Sequence, residues 1–171
     1  MSLEVNEFLR RLWKLLLILL MLISASILFF IISINMNSLR ITEEFQKMET
    51  IKIKIVNDEG QILEFEVKVA DEPDEWMAGF QNISRSIIEK TLILFTFPSE
   101  TKAFFHMRNV EISLDIAFIS ANGTIIEIMR TDPDPDRLYG SKESFKYVIE
   151  ARAGFFDSIR VSAGKSKLII E

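Results

Sequence analysis

The chain has no cysteine, one histidine, six glycines and four prolines among its 171 residues. Without cysteine there is no disulfide, no thiolate metal site, no cysteine nucleophile and no lipid-modified cysteine. A lone histidine, His106, excludes a histidine-rich metal centre and leaves any imidazole acid-base role to that residue. Gly140 and Gly164 do not form a phosphate loop, and no serine sits in Gly-x-Ser-x-Gly. Ser162-Ala-Gly-Lys165 matches a Ser-x-x-Lys string, in a turn with no helix to hold the two groups together. From Ile51 onward 15 Lys or Arg face 20 Asp or Glu with no basic run, which excludes nucleic acid as an expected partner. No cofactor is called for by any motif.

Charge is also missing from Leu15 to Ile34, where 15 of 20 residues are Leu, Ile or Phe. At ~1.5 Å per residue, 20 helical residues reach roughly 30 Å, the thickness of a bilayer's hydrocarbon core. This reads as a transmembrane helix, with the membrane as the chain's first partner. Arg10, Arg11 and Lys14 before it outweigh Arg40 and Lys47 after it, which puts the N-terminus in the cytoplasm and the rest outside. The alternative is secretion after signal cleavage near Ser24-Ala25-Ser26, although signal-peptide apolar runs are shorter. The expected organisation is a cytoplasmic segment over 1–14, the span over 15–34, a stalk with a short helix over 35–50, and one domain over 51–171.

Beyond the stalk the apolar period becomes two. Ile51, Ile53 and Ile55, then Leu63, Phe65, Val67 and Val69, alternate with polar residues around an Asp58-Glu59-Gly60 turn, the pattern of an amphipathic hairpin. Asp71, Glu72 and Pro73 start a short helix through about Phe80. Leu92–Phe97, Ala103–Met107, Leu114–Ser120, Thr124–Met129, Tyr147–Arg152 and Lys167–Ile170 are further strands, with Asn122-Gly123 as a hairpin turn and a second short helix over Phe155–Ser158. About eight strands predict a mainly β fold, an antiparallel sandwich or barrel.

The segment order also carries a resemblance. Val67–Phe80, Leu94-Phe-Thr-Phe97, Phe105-His-Met-Arg-Asn109 followed by Leu114-Asp-Ile-Ala-Phe-Ile119, and Tyr147-Val-Ile-Glu-Ala-Arg-Ala-Gly154 are together similar to the family called domain of unknown function 192. The resemblance implies a jelly-roll type β domain behind an export signal or anchor, with no established activity. The chain departs from the family pattern at His106, where tryptophan is usual, and at Ser113, where proline is usual.

Two constellations stand out. Arg108, Asn109 and Asp115 are polar groups beside apolar strand residues. Asp115, Ala117 and Ile119 share one strand face, opposite Leu114, Ile116 and Phe118. Asp115 reads either as a binding-site carboxylate oriented by Asn109 or Arg108, or as a structural acid held by hydrogen bonds. His106, among Phe104, Phe105 and Met107, joins this set as a ligand-binding candidate or as a packed core histidine. Asp132, Asp134, Asp136 and Glu143 have the spacing of a calcium loop, but Arg137 stands where that loop needs glycine, and a solvated Pro-Asp turn is the competing reading. Two functions follow: a tethered domain that binds a protein or envelope ligand, or a small-molecule or hydrolase-like enzyme using Asp115 with Arg108 or His106.

Overall fold

The computed structural model describes residues 2–37 and 40–170, with side chains for residue 7 and for 9–33 and 40–170. They form two units, one up to residue 39 and one from Arg40 on. The first is helix α1 (Ser2–Asn37). Among the described residues it is the one helix long and apolar enough, by length and composition, to cross a membrane, over Leu9–Ser33. Two serines within that stretch are bonded to the helix's own backbone: Ser24 Oγ donates to the Met21 carbonyl and Ser26 Oγ to the Leu22 carbonyl, each at 2.9 Å. Their hydroxyls are therefore satisfied within the helix.

The second unit is mostly β. It opens with helix α2 (Glu43–Lys47), capped by Thr42 Oγ1 accepting from the Phe45 N–H. The stretch expected as a stalk is thus partly built into the domain: Phe45 and Met48 are core residues, and the Glu49 carbonyl accepts from the Val69 N–H at 2.8 Å. Strands β1 (Thr50–Val56) and β2 (Ile62–Ala70) make the hairpin read from the alternation. Helices α3 (Pro73–Ala78) and α4 (Arg85–Ile88) cross over to β3 (Ile93–Thr101). The short β4 (Phe105–His106), β5 (Leu114–Ile119), β6 (Ile125–Arg130), β7 (Leu138–Tyr139), β8 (Phe145–Arg152), α5 (Phe155–Ser158) and β9 (Lys167–Ile170) complete the chain.

Seven strands share one mixed sheet in the order β6-β5-β8-β3-β2-β1-β9, and β4 pairs with β7 in a separate ribbon. All pairs are antiparallel except β2 with β3. That exception has a topological cause: the α3–α4 crossover returns the chain to the same end of the sheet, which a hairpin cannot do. The short helix α4 and the two-residue strand β7 were not read from the sequence.

The sheet's two outer strands meet. Thr124, just before β6, bridges Lys167 at the start of β9. The Leu168 N–H donates to the Gly123 carbonyl at 2.8 Å and the Ile125 N–H to the Ser166 carbonyl at 3.2 Å. The sheet therefore closes into a barrel. Gly123, at φ +84°, lets the strands approach this closely, since a Cβ there would lie 2.3 Å from the Leu168 carbonyl oxygen. One core fills the closed side, and every strand of the sheet supplies it: Ile53, Ile55, Val67, Leu94, Ala117, Ile119, Ile125, Ile149, Ala151 and Leu168. A second core, with Ile93, Phe95, Leu114, Ile116, Phe118 and Val148, lies on the other face of β3, β5 and β8. It is covered by residues from α2 (Phe45), α4 (Ile88) and β7 (Tyr139), with Trp76 of α3 and Phe105 of β4 packed against it.

Candidate functional site

On β8 the side chains alternate, so Val148 and Glu150 emerge on the outer face while Ile149 and Ala151 enter the barrel. Glu150 sits in register with Ile93 of β3 and Ile116 of β5, beneath the covering layer, and is 6% exposed. Among the described residues none gives its carboxyl a hydrogen bond or a counter-charge. Burial alone therefore acts on it, disfavours the ionised form and pushes the group up to about 8.

Glu150 lies in the wall of a pocket of about 390 Å³ whose other walls are α3 with the turn after it, β3, and residues 103–110. Each wall has a local cause. Pro73 at the first turn and the Glu75 carboxylate, which accepts from the Asp71 and Glu72 N–H groups, start α3. The helix begins one residue later than the Asp71 cap expected, with Glu72 as its N-cap. Trp76 Nε1 then donates to the Ala70 carbonyl at 2.9 Å and the Thr96 carbonyl at 3.2 Å, bridging β2 and β3 and laying the indole beside Phe97 at 5.2 Å between ring centres. Phe105 meets Phe95 edge-on at 5.2 Å. Gly79 ends the helix at φ +45°, and a Cβ there would lie 3.4 Å from the Phe95 ring and 3.5 Å from Glu150 Oε2. Met77 and Phe104, 74% and 67% exposed, are apolar residues left open to solvent along the lining.

Of the residues singled out from the sequence, His106 lines this pocket, and its Nδ1 accepts from the Arg108 N–H at 3.4 Å. Arg108 and Asn109 are exposed in the following turn, where Asn109 takes φ +56° and its carbonyl accepts from the Asn82 N–H. Neither is hydrogen-bonded to Asp115. That acid, 1% exposed, shares the barrel-side face with Ala117 and Ile119. It accepts from Arg130 Nε at 2.8 Å, Arg130 Nη2 at 3.3 Å and the Gly154 N–H at 2.8 Å. Arg130 also pairs with Asp157 at 2.8 Å, and the two carboxylates hold its guanidinium in the charged form. Asp115 is thus saturated by partners that join β5 to β6 and to the turn before α5.

The acids of the 132–143 loop do not converge. Asp132 pairs with Arg137, Asp134 caps the Asp136 N–H, and the Glu143 N–H donates to Ser141 Oγ. Among the described residues no three His, Asp or Glu side chains gather to hold a metal ion. The Ser162 hydroxyl donates to Asp58 at 2.7 Å, tying the β1–β2 turn to the C-terminal turn. Glu150 is the functional candidate that sequence reasoning passed over, although an acid between Ile149 and Ala151 is the same signal that drew attention to Asp115.

Solved structures share this fold, two of them from bacteria. A proposed transcription regulator from Sinorhizobium meliloti 1021 is 24% identical, with a TM-score of 0.66, over 71% of this chain and 94% of its own. A protein of unknown function from Novosphingobium aromaticivorans DSM 12444 is 17% identical at the same TM-score, over 77% and 92%. At these identities the likeness speaks for the fold alone. No curated protein matches the chain. The family model named DUF192, for an uncharacterised group of proteins, matches residues 54–168, two thirds of the sequence and nearly all of the β domain, and the chain belongs to that family.

Proposed function

We propose that this protein is a single-pass membrane protein whose β domain, held outside the cell membrane, binds a small envelope ligand in the pocket over Glu150. One observation carries the reading: a cavity of about 390 Å³ lined by aromatic residues ends on a buried carboxyl to which no described residue gives a hydrogen bond or counter-charge. Apolar walls with a few placed polar groups are the usual build of a ligand site. The described side-chain atom that is sealed from solvent without a partner is Ser84 Oγ, so the Glu150 oxygens open to the pocket, where a ligand can meet them. The anchor reading is supported by the length and apolar composition of the helix over Leu9–Ser33 and by Arg10, Arg11 and Lys14, which precede its uncharged run from Leu15. An enzyme built on Asp115 gains no support from its geometry, since Arg130 and Gly154 already occupy its oxygens.

The test is native mass spectrometry of the full chain after incubation with a small-molecule extract of cell envelopes, alongside Ala103→Trp, which fills the pocket. A bound species on the unaltered chain that is lost in the variant supports the reading. Identical spectra from both would refute it. Location is tested separately through the absence of native cysteine. Lys142→Cys, at an exposed site, should react with a membrane-impermeant maleimide in intact cells, and labelling only after lysis would reverse the orientation.

A further inference from the structure

We infer that the pocket over Glu150 is built for an organic ammonium group carried on a small aromatic or alkyl body, an inference that rests on the binding role proposed above. The argument works by elimination among ligand charges. An anion would meet no Lys or Arg among the residues lining the pocket, and could take from Glu150 only the one hydrogen bond that its protonated form donates. A wholly apolar ligand would expel water from that carboxyl and leave it unmet, the costliest arrangement available to it. A neutral hydroxyl would give it one hydrogen bond but draw nothing from the ring faces. A cation uses both features: an ion pair with a carboxylate that no described residue neutralises, and the electron-rich rings of Trp76, Phe97 and Phe105 in the lining. Gly79 keeps Glu150 reachable, because any larger residue would put a side chain against the carboxyl.

The proton balance gives the inference a signature. Burial holds the free pocket's Glu150 protonated up to about pH 8, so a cation binds as the acid releases one proton to solvent. Affinity for a ligand of fixed charge must therefore rise with pH. The ionised fraction grows about tenfold between pH 7 and pH 9, and the apparent affinity follows it. Among the residues lining the pocket, on α3 and its following turn, on β3 and on the 103–110 segment, His106 is the one other group that titrates. His106→Gln measured in parallel isolates its contribution.

The experiment uses the full chain in dodecyl maltoside, a detergent without an ammonium group. Trp13→Phe leaves Trp76, in the pocket wall, as the sole tryptophan reporter. The probes are benzyltrimethylammonium, charged at every pH, and 2-phenylethanol, its neutral counterpart. The expected result at pH 9 is saturable quenching by the cation with at least about tenfold preference over the alcohol, a loss of about tenfold on moving to pH 7, and abolition of the preference by Glu150→Gln. Retained binding of the alcohol by that variant certifies its fold. If the alcohol binds as well as the cation, or Glu150→Gln leaves the cation's affinity unchanged, the ammonium assignment falls and the binding role stands. If neither probe perturbs Trp76, both fall.

Discussion

Replacing Glu150 by glutamine should change how the domain's stability depends on pH. The side chain keeps its shape, so the packing of Ile93, Ile116 and the rings above is preserved, while the titrating proton is removed. In the native domain burial lifts the group from its ordinary 4.5 to about 8. The native state therefore holds the proton more tightly than the unfolded chain does. The associated stability is fully present below about pH 4.5 and is lost progressively as pH rises to about 8. At ~1.4 kcal/mol per pH unit the ceiling is about 5 kcal/mol, and relaxation of the pocket or entry of water would lower it. For a domain of about 130 residues, unfolding entropies of ~2 cal/mol/K per residue convert that ceiling into a change of 15–20 °C in Tm. Thermal unfolding followed by circular dichroism at pH 5, 6, 7, 8 and 9 reads the difference between the two proteins. Groups held below their ordinary value, such as Asp58 between the Ser162 and Ser166 hydroxyls, act equally on both and cancel. The unaltered chain should lose ground to Glu150→Gln steadily from pH 5 to pH 8 and no further above it. Parallel curves at every pH would refute the view that an unpartnered acid is buried in this pocket.

Three other substitutions probe the parts that hold the site in place. Asp115→Ala leaves the half-buried Gly154 N–H unmet and strips Arg130 of its inner partner, so chemical denaturation should show a loss of about 2–4 kcal/mol. Unchanged stability would mean that Asp115 is kept for a ligand instead. Trp76→Phe keeps an aromatic, though smaller, ring but removes the N–H shared by the Ala70 and Thr96 carbonyls, and should cost about 1–3 kcal/mol while loosening the start of the pocket wall. Gly123→Ala forces a methyl against the Leu168 carbonyl at a positive φ, so the Leu168 amide should lose most of its hydrogen-exchange protection. Unaltered protection there would show that β6 and β9 are held together by something other than this approach.

Period-two alternation located both strands of the first hairpin, because each residue of that pattern faces one environment all along the strand. Residues 114–119 show why the same logic was sufficient for a face but not for a partner. Asp115 was correctly set with Ala117 and Ile119, yet its neighbour was sought nearby at Arg108 and Asn109. Counting outward from the pairing of Ile119 with Ile125 beside the turn would place residue 129 opposite residue 115, and a one-residue register shift between Phe118 and Ile119 brings Arg130 there instead. Glu150 lay in plain view inside an apolar strand, but its importance depends on what covers that face. The cover comes from residues 73–81 and 103–110, distant in sequence, and no local period reports such an encounter. The parallel pairing of β2 with β3 escaped for a related reason, since single strands do not encode direction.

The seam between Gly123 and Leu168 also bears on the order in which the domain takes shape. Lys167–Ile170 is the last strand along the chain, and it pairs at once with β1, more than a hundred residues earlier, and with the approach to β6. Such distant pairings are slow to form, because a long loop must close before any contact rewards it. Until they form, the outer strands β1 and β6 present unpaired backbone that other chains can join. The interval before this final stave settles is accordingly the period of greatest exposure to misassembly, and a chaperone or partner that shields those strands would act there and nowhere later.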